Sequence, residues 1–144
     1  MEAKNVIELT QSSIYQRNHL VLSNVNFSLG QGEFVYLIGK TGSGKSSLLK
    51  VLYGDLPLQS GQGAVVGMDL KSLKTSKIPD LRRHLGIVFQ DFQLLTDRTV
   101  EQNLTFVLKA TGWKDKASIE KRIDEVLDSV GMLSKKKMMP FRLS

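Results

Sequence analysis

The sequence predicts an α/β fold: an N-terminal antiparallel β region, a strand–turn–helix core and a mostly helical C-terminal part. Three observations predict it. Phe34-Val35-Tyr36-Leu37-Ile38 is an apolar run without a turn residue, read as a buried strand, and the glycine-rich run of residues 39–46 follows at once. Ahead of it, two stretches alternate apolar and polar residues, the period-2 pattern of half-buried antiparallel strands. Behind residue 99, apolar residues recur at helical spacing.

Taken in order, residues 5–10 alternate through Val6, Ile7 and Leu9 and read as a strand. Residues 11–20 are polar and loop-like, with Tyr15 the only large aromatic. Leu20, Leu22, Val25, Phe27 and Leu29 mark a second strand pairing with the first. Gly30-Gln31-Gly32-Glu33 turns the chain into the apolar run. Residues 46–52 continue as a helix, broken by Tyr53-Gly54-Asp55-Leu56-Pro57. Ser60-Gly61-Gln62-Gly63 reads as a turn, Ala64-Val65-Val66 as a short strand and Gly67-Met68-Asp69 as another turn. A short helix is expected over residues 78–84, with Pro79 in its first turn, and a buried strand over residues 85–89. Val100, Leu104, Val107 and Leu108 share one face of a helix that starts after Thr99 and ends at Gly112. Ile119, Ile123, Val126, Leu127 and Val130 form a second amphipathic helix ended by Gly131.

Gly39-Lys40-Thr41-Gly42-Ser43-Gly44-Lys45-Ser46 reads G-x-x-x-x-G-K-[ST], the P-loop or Walker A pattern. The chemistry follows from the spacing. The glycines let the backbone bend so that N–H groups converge on an anion, and the next helix presents unpaired N–H groups to the same point. Lys45 reaches the β- and γ-phosphates, the Ser46 hydroxyl is a Mg²⁺ ligand, and Ser47 continues the helix. Four fixed positions match by chance about once in a hundred chains of this size. The pattern therefore indicates nucleotide binding, without naming the reaction.

Composition bounds the rest. Apolar content is 41% and charged content 24%, ordinary for a globular protein. No apolar run approaches the ~18 residues of a membrane helix, and the N-terminus carries no export signal. The absence of cysteine excludes disulfides and thiolate metal sites and fits a cytosolic protein. The net charge of +6 is spread over scattered lysines, and no aromatic–basic motif accompanies it, so no nucleic-acid partner is expected. Lys135-Lys136-Lys137 reads as a solvated loop, His19 and His84 as surface or packing residues, and Met138-Met139 as packing.

With these residues in view, the chain resembles the ATP-binding subunits of ABC transporters. Besides the Walker A run, Gln90 in Ile87-Val88-Phe89-Gln90 resembles the Q-loop glutamine of that family. Tyr15 lies where the family places an aromatic that stacks on adenine. Met139-Pro140-Phe141-Arg142-Leu143-Ser144 is similar to the run leading into the L-S-G-G-Q signature, of which Leu143-Ser144 are the first two letters. Residues 89–100, with Asp91-Phe92 and Asp97-Arg98-Thr99-Val100, are similar to the Q-loop of the family's bacterial cell-division branch. The lipoprotein-release and macrolide-export branches share the general layout.

The resemblance implies an ABC-type P-loop NTPase core with an N-terminal antiparallel β subdomain and a helical subdomain, truncated before the Walker B strand. It places the ATP-binding core with its β subdomain at residues 1–90 and the helical subdomain at 91–144. It implies ATP and Mg²⁺ as ligands, Ser46 and Gln90 as metal ligands, and Lys45 and Gln90 as the groups that neutralise phosphate charge and position water. It further implies an ATPase acting as a homodimer on the inner face of the cell membrane, with an integral membrane partner docking near residues 90–99. The family's Walker B aspartate, catalytic glutamate and switch histidine follow the signature motif, so these 144 residues are expected to bind nucleotide weakly and hydrolyse little. Marginal stability is expected too, because the Walker A strand has its family neighbour there. A non-catalytic nucleotide-binding module is the alternative.

Overall fold

The computed structural model describes residues 5–143, which gather into two compact units divided between Gly86 and Ile87. The first unit is built on a four-stranded antiparallel sheet in the order β2-β1-β3-β4. Its strands are β1 (Asn5–Gln16), β2 (His19–Gly30), β3 (Ser60–Val65) and β4 (Met68–Asp69). Helix α1 (Lys45–Leu52) buries Ser47, Leu48, Val51 and Leu52, and a short α2 (Ile78–Arg83) contributes Leu81. Leu48, Val51, Leu52 and Leu81 join Leu9, Ile14, Leu58, Val65 and Leu70 in one apolar core. Each such side chain contributes about 1.5–3 kcal/mol when fully buried.

The polar stretch expected as a loop over residues 11–20 is instead the far half of the β1–β2 hairpin. A bulge hides it from period-2 reading. Between the Leu9↔Phe27 and Ser12↔Val25 pairs, β1 carries one residue more than β2, with Gln11 at φ 46°. Leu9 and Ser12 therefore both face inward despite their odd spacing, and Ser12 and Ile14 are fully buried. The Ser12 hydroxyl donates to the Gln62 carbonyl at 2.7 Å, which satisfies the one polar atom this burial would strand. Likewise β3 begins at Ser60, where a turn was expected. Its glycines are there for close approach: a Cβ on Gly63 would lie 2.6 Å from the Leu9 side chain and 2.8 Å from that of Leu58.

Two expected buried strands do not form. Residues 34–38 pair with no strand; Phe34 is 79% and Ile38 87% exposed. Residues 85–89 likewise belong to no strand, with Val88 94% exposed. A parallel central strand needs hydrogen-bonded neighbours and cover on both faces. Among the described residues every paired strand belongs to the antiparallel sheet, and none lies against these segments. Their composition is apolar and β-type, but pairing is a property of neighbours.

The second unit is helical. α3 (Val100–Ala110) starts where Thr99 predicts, with a capping box: Gln102 N donates to the Thr99 hydroxyl, and Thr99 N donates to the Gln102 side chain. α4 (Lys116–Ser129) is capped by Asp115, whose carboxylate accepts from Ser118 N at 2.7 Å. Ile119, Ile123 and Leu127 form its core face against Val100, Leu104 and Leu108. Val107 and Val130, expected on the apolar faces, are 55% and 65% exposed. Asn103 holds the segment before α3: its amide nitrogen donates to the carbonyls of Leu95, Arg98 and Thr99, and its oxygen accepts from Leu95 N.

Lys136, read from sequence as part of a solvated lysine run, lies among Glu101, Glu120 and Asp124, with its ammonium 2.6 Å from Asp124. The Lys136 and Met138 carbonyls also accept from Glu101 N and Val100 N at the start of α3. Hydrogen bonding from Lys137, with Lys136 adding, holds the Glu101 carboxyl below its ordinary 4.5, and Asp124 holds the Lys136 ammonium above its ordinary 10.5. A lowered carboxyl stabilises the fold above its unfolded pKa and stops doing so as pH falls through the folded one; a raised ammonium stabilises below its unfolded pKa. The network is thus fully stabilising between about pH 5 and 10. Urea unfolding followed by Trp113, the sole tryptophan, is expected to lose about 1 kcal/mol between pH 5 and 3. Glu101→Gln should lack that loss; an equal acid loss in the variant would show that Glu101 is not its source.

Candidate nucleotide-binding site

The glycine-rich run forms a loop that closes over the start of α1. Gly42 and Gly44 have φ of 80° and 92°, conformations open to glycine. Ser43 N donates to the Lys40 carbonyl at 3.1 Å, and Leu48 N to the Gly44 carbonyl at 2.9 Å, which begins the helix. Gly44 supplies no side-chain cap and the first turn holds no acidic residue, so the leading N–H groups and the positive end of the helix dipole face outward unopposed. The Lys45 side chain curls back, its ammonium donating to the carbonyls of Gly39 at 2.7 Å and Lys40 at 2.9 Å. A phosphate would outcompete these neutral carbonyls, because it adds charge–charge attraction to the hydrogen bond with the ammonium.

A cavity of about 360 Å³, within the range of small-molecule sites, lies against this turn. Gly42, Gly44, Lys45, Ser46 and Ser47 line one side; Gln16, His19, Leu20 and Val21, at the closed end of the β1–β2 hairpin, line the other. The two sides touch, since a Cβ on Gly44 would lie 2.8 Å from Val21 and 2.9 Å from Leu22. Gly39, Lys40, Thr41 and Ser43 complete the loop and are exposed. The hairpin residues carry no motif and were not singled out from sequence; Arg17-Asn18, a two-residue polar turn between alternating stretches, was the signal.

Tyr15 is half-buried and is not among the lining residues. Gln90 belongs to the second unit, where it is exposed in a turn that Phe92 N closes onto the Phe89 carbonyl at 3.1 Å. For Mg²⁺, the Ser46 hydroxyl is a suitable hard oxygen donor. The described residues hold no cluster of three His, Cys, Asp or Glu able to bind a metal by themselves. A Mg²⁺ ion here would take most of its ligands from phosphates and water, its usual habit.

The sequence of residues 22–144 matches the family model described as ABC transporter. This chain belongs to the ABC transporter family. Within the family, it is 36% identical over 130 residues to the cell division ATP-binding protein FtsE of Streptococcus pneumoniae D39, covering 90% of this chain and 56% of that one. FtsE of Escherichia coli K12 is 38% identical over 133 residues, covering 92% and 60%. Among solved structures, the ATP-binding cassette MJ0796, a dimer in a post-hydrolysis state with ADP and Pi, superposes with a TM-score of 0.80 at 26% identity over 96% of this chain and 63% of that one. CbiO1 of Clostridium perfringens, part of the transporter complex cbiONQ, gives 0.84 at 26% over 97% and 56%. The chain thus has the ABC ATPase fold, with its antiparallel β subdomain and helices, and spans less than two thirds of the length of these relatives. No helix among the described residues is long and apolar enough to cross a membrane.

Proposed function

We propose that this chain is the nucleotide-binding part of an ABC-type ATPase subunit that takes Mg-ATP at residues 39–47 and couples it to a membrane partner in bacterial cell division. The observation that carries the binding role is the uncapped α1 N-terminus with Lys45 and Ser46 facing one cavity. The cell-division role is supported by the FtsE relatives. A lipoprotein-release or macrolide-export ATPase is the competing role. Loop amides and Lys45 neutralise the phosphates, and Ser46 supplies an oxygen ligand to Mg²⁺, which stabilises phosphate charge when bound. Assembly as a dimer and docking of an FtsX-like membrane protein near residues 90–99 follow the family pattern, as does a place on the cytoplasmic face of the membrane.

Within these 144 residues the site is expected to bind nucleotide with little turnover, because among the described residues no carboxylate able to activate water lines its cavity. Calorimetric titration with Mg-ATP is expected to show binding that Lys45→Ala weakens about 10–100-fold, the worth of one charge-assisted contact. Phosphate release should not exceed that of Lys45→Ala. Equal affinity in the two proteins would remove the P-loop reading; release well above the variant would remove the no-turnover reading.

A further inference from the structure

We infer that Arg82 of α2 is a positioning residue for the phosphate-binding turn: it fixes the far end of α1 and, through α1, the aim of the amides of residues 44–46. This role rests on the nucleotide reading above. It adds a side chain that is not among those lining the cavity.

Helix α1 does not hold its own direction. Its eight residues make a rod of about 12 Å, and isolated helices shorter than ~12–15 residues are marginal in water. Packing therefore decides how the rod points. Ser47, Leu48, Val51 and Leu52 bury one face of it, which leaves the two ends to set its tilt. At the N-terminal end Gly44 lies against Val21 and Leu22. At the C-terminal end the chain makes a Schellman turn. Asp55 N donates to the Lys50 carbonyl at 2.7 Å and Gly54 N to the Val51 carbonyl at 3.1 Å, with Gly54 at φ 74°. Those bonds close the helix on itself; Arg82 ties that end to α2.

Three contacts of one guanidinium converge there. Its Nε donates at 3.0 Å to the carbonyl of Tyr53, the C-cap of α1. Its Nη2 lies 3.7 Å from Oδ1 of Asp55, whose Oδ2 lies 3.5 Å from the Lys50 ammonium in the last turn of α1. Its Cζ sits 5.6 Å from the centroid of the Tyr53 ring. A cation at this end also meets the negative pole of the helix dipole. The base of the tie is firm, because Leu81, the residue before Arg82, is fully buried in the core. The ion pair with Asp55 is exposed and stabilises little. What fixes geometry is the planar, charge-assisted fork onto a backbone carbonyl. A tilt of α1 about its buried face moves the amides at its other end, and hydrogen bonds to phosphate keep their strength only over about 2.7–3.2 Å.

Calorimetric titration of Mg-ATP and of Mg-tripolyphosphate separates positioning from stability, at a temperature where urea unfolding shows each protein folded. Arg82→Ala should weaken both ligands by the same factor, about 3–10-fold. Arg83 carries the same charge on the same helix but pairs with Asp80 at 2.9 Å, so Arg83→Ala should change either ligand less than about twofold. Arg82→Lys keeps the charge but cannot bridge Tyr53 and Asp55 at once, and should recover only part of the loss. In ligand-free Arg82→Ala the amide resonances of Gly44, Lys45 and Ser46 should move, although they lie a helix length away. Unchanged affinity in folded Arg82→Ala, an equal loss in Arg83→Ala, or a loss for Mg-ATP alone overturns the inference. So does wild-type affinity in Arg82→Lys, which carries the test if Arg82→Ala fails to fold. Lys45→Ala, titrated alongside, reports on the nucleotide reading itself: a loss there with none in Arg82→Ala leaves that reading standing. Wild-type protein that binds neither ligand overturns both.

Discussion

Gly61→Ala is expected to destabilise the first unit by about 3–5 kcal/mol, from backbone strain and overpacking combined. Gly61 has φ of 85°, and a Cβ there would lie 2.4 Å from the Gln11 carbonyl oxygen and 2.4 Å from Ser12 Cα. Both are main-chain atoms, so no rotamer change relieves the clash. The site is where β1 bulges and its register with β3 shifts between Thr10 and Ser13. Pushing the strands apart also lengthens the Ser12 hydroxyl bond to Gln62 and leaves a buried polar atom unpaired. For a domain with about 5–15 kcal/mol in hand, a loss of this size is a large part of the whole. Native-state amide exchange along β1 and β3 measures it, with α4 amides as an internal reference in the other unit. A change under about 1 kcal/mol in β1 and β3 would mean that the bulge absorbs the methyl group.

Gly44→Ala is expected to cost about 2–3 kcal/mol of stability and at least ~10-fold in Mg-ATP affinity. The residue holds φ of 92° at the turn into α1, and its added Cβ would lie 2.8 Å from Val21 Cγ1 and 2.9 Å from Leu22 Cγ. Here the obstruction is side chain, so it can be relieved. Adding Val21→Ala should recover part of the stability, since the two sites share one contact. It should not recover affinity, because left-handed backbone at residue 44 is what aims the following N–H groups. Recovery of both would place the damage in packing alone and deny the loop geometry its role.

Much of the site was legible because its signal is local. A P-loop needs glycines, Lys45 and Ser46 at fixed spacing, and that spacing is visible without knowing any long-range contact. The same holds for α3, whose start is written in Thr99 and Gln102, and for α4, begun by Asp115. What patterning missed depends on partners. The bulge at Gln11 shifted the phase of β1, so a buried strand looked like a polar loop. Gly61 and Gly63 looked like turn residues, although their role is close approach between strands. Residues 34–38 carry the composition of a buried strand, yet no strand among the described residues lies beside them. Lys136 looked like one of a solvated run until Glu101 and Asp124 were seen to converge on it. The hairpin side of the cavity had no motif, because a wall needs shape rather than a fixed residue type.

Backbone amide NMR during titration with Mg-ATP tests most sharply whether the turn at residues 39–47 and the hairpin end form one binding site. The expected result is that Gly42, Ser43, Gly44, Lys45 and Ser46 amides shift most, as their N–H groups meet phosphate. Residues 16–21 should shift with the same saturation curve, and α4 should stay still. Large shifts confined to other parts of the chain, or none at saturating nucleotide, would contradict the assignment of this cavity as the nucleotide site.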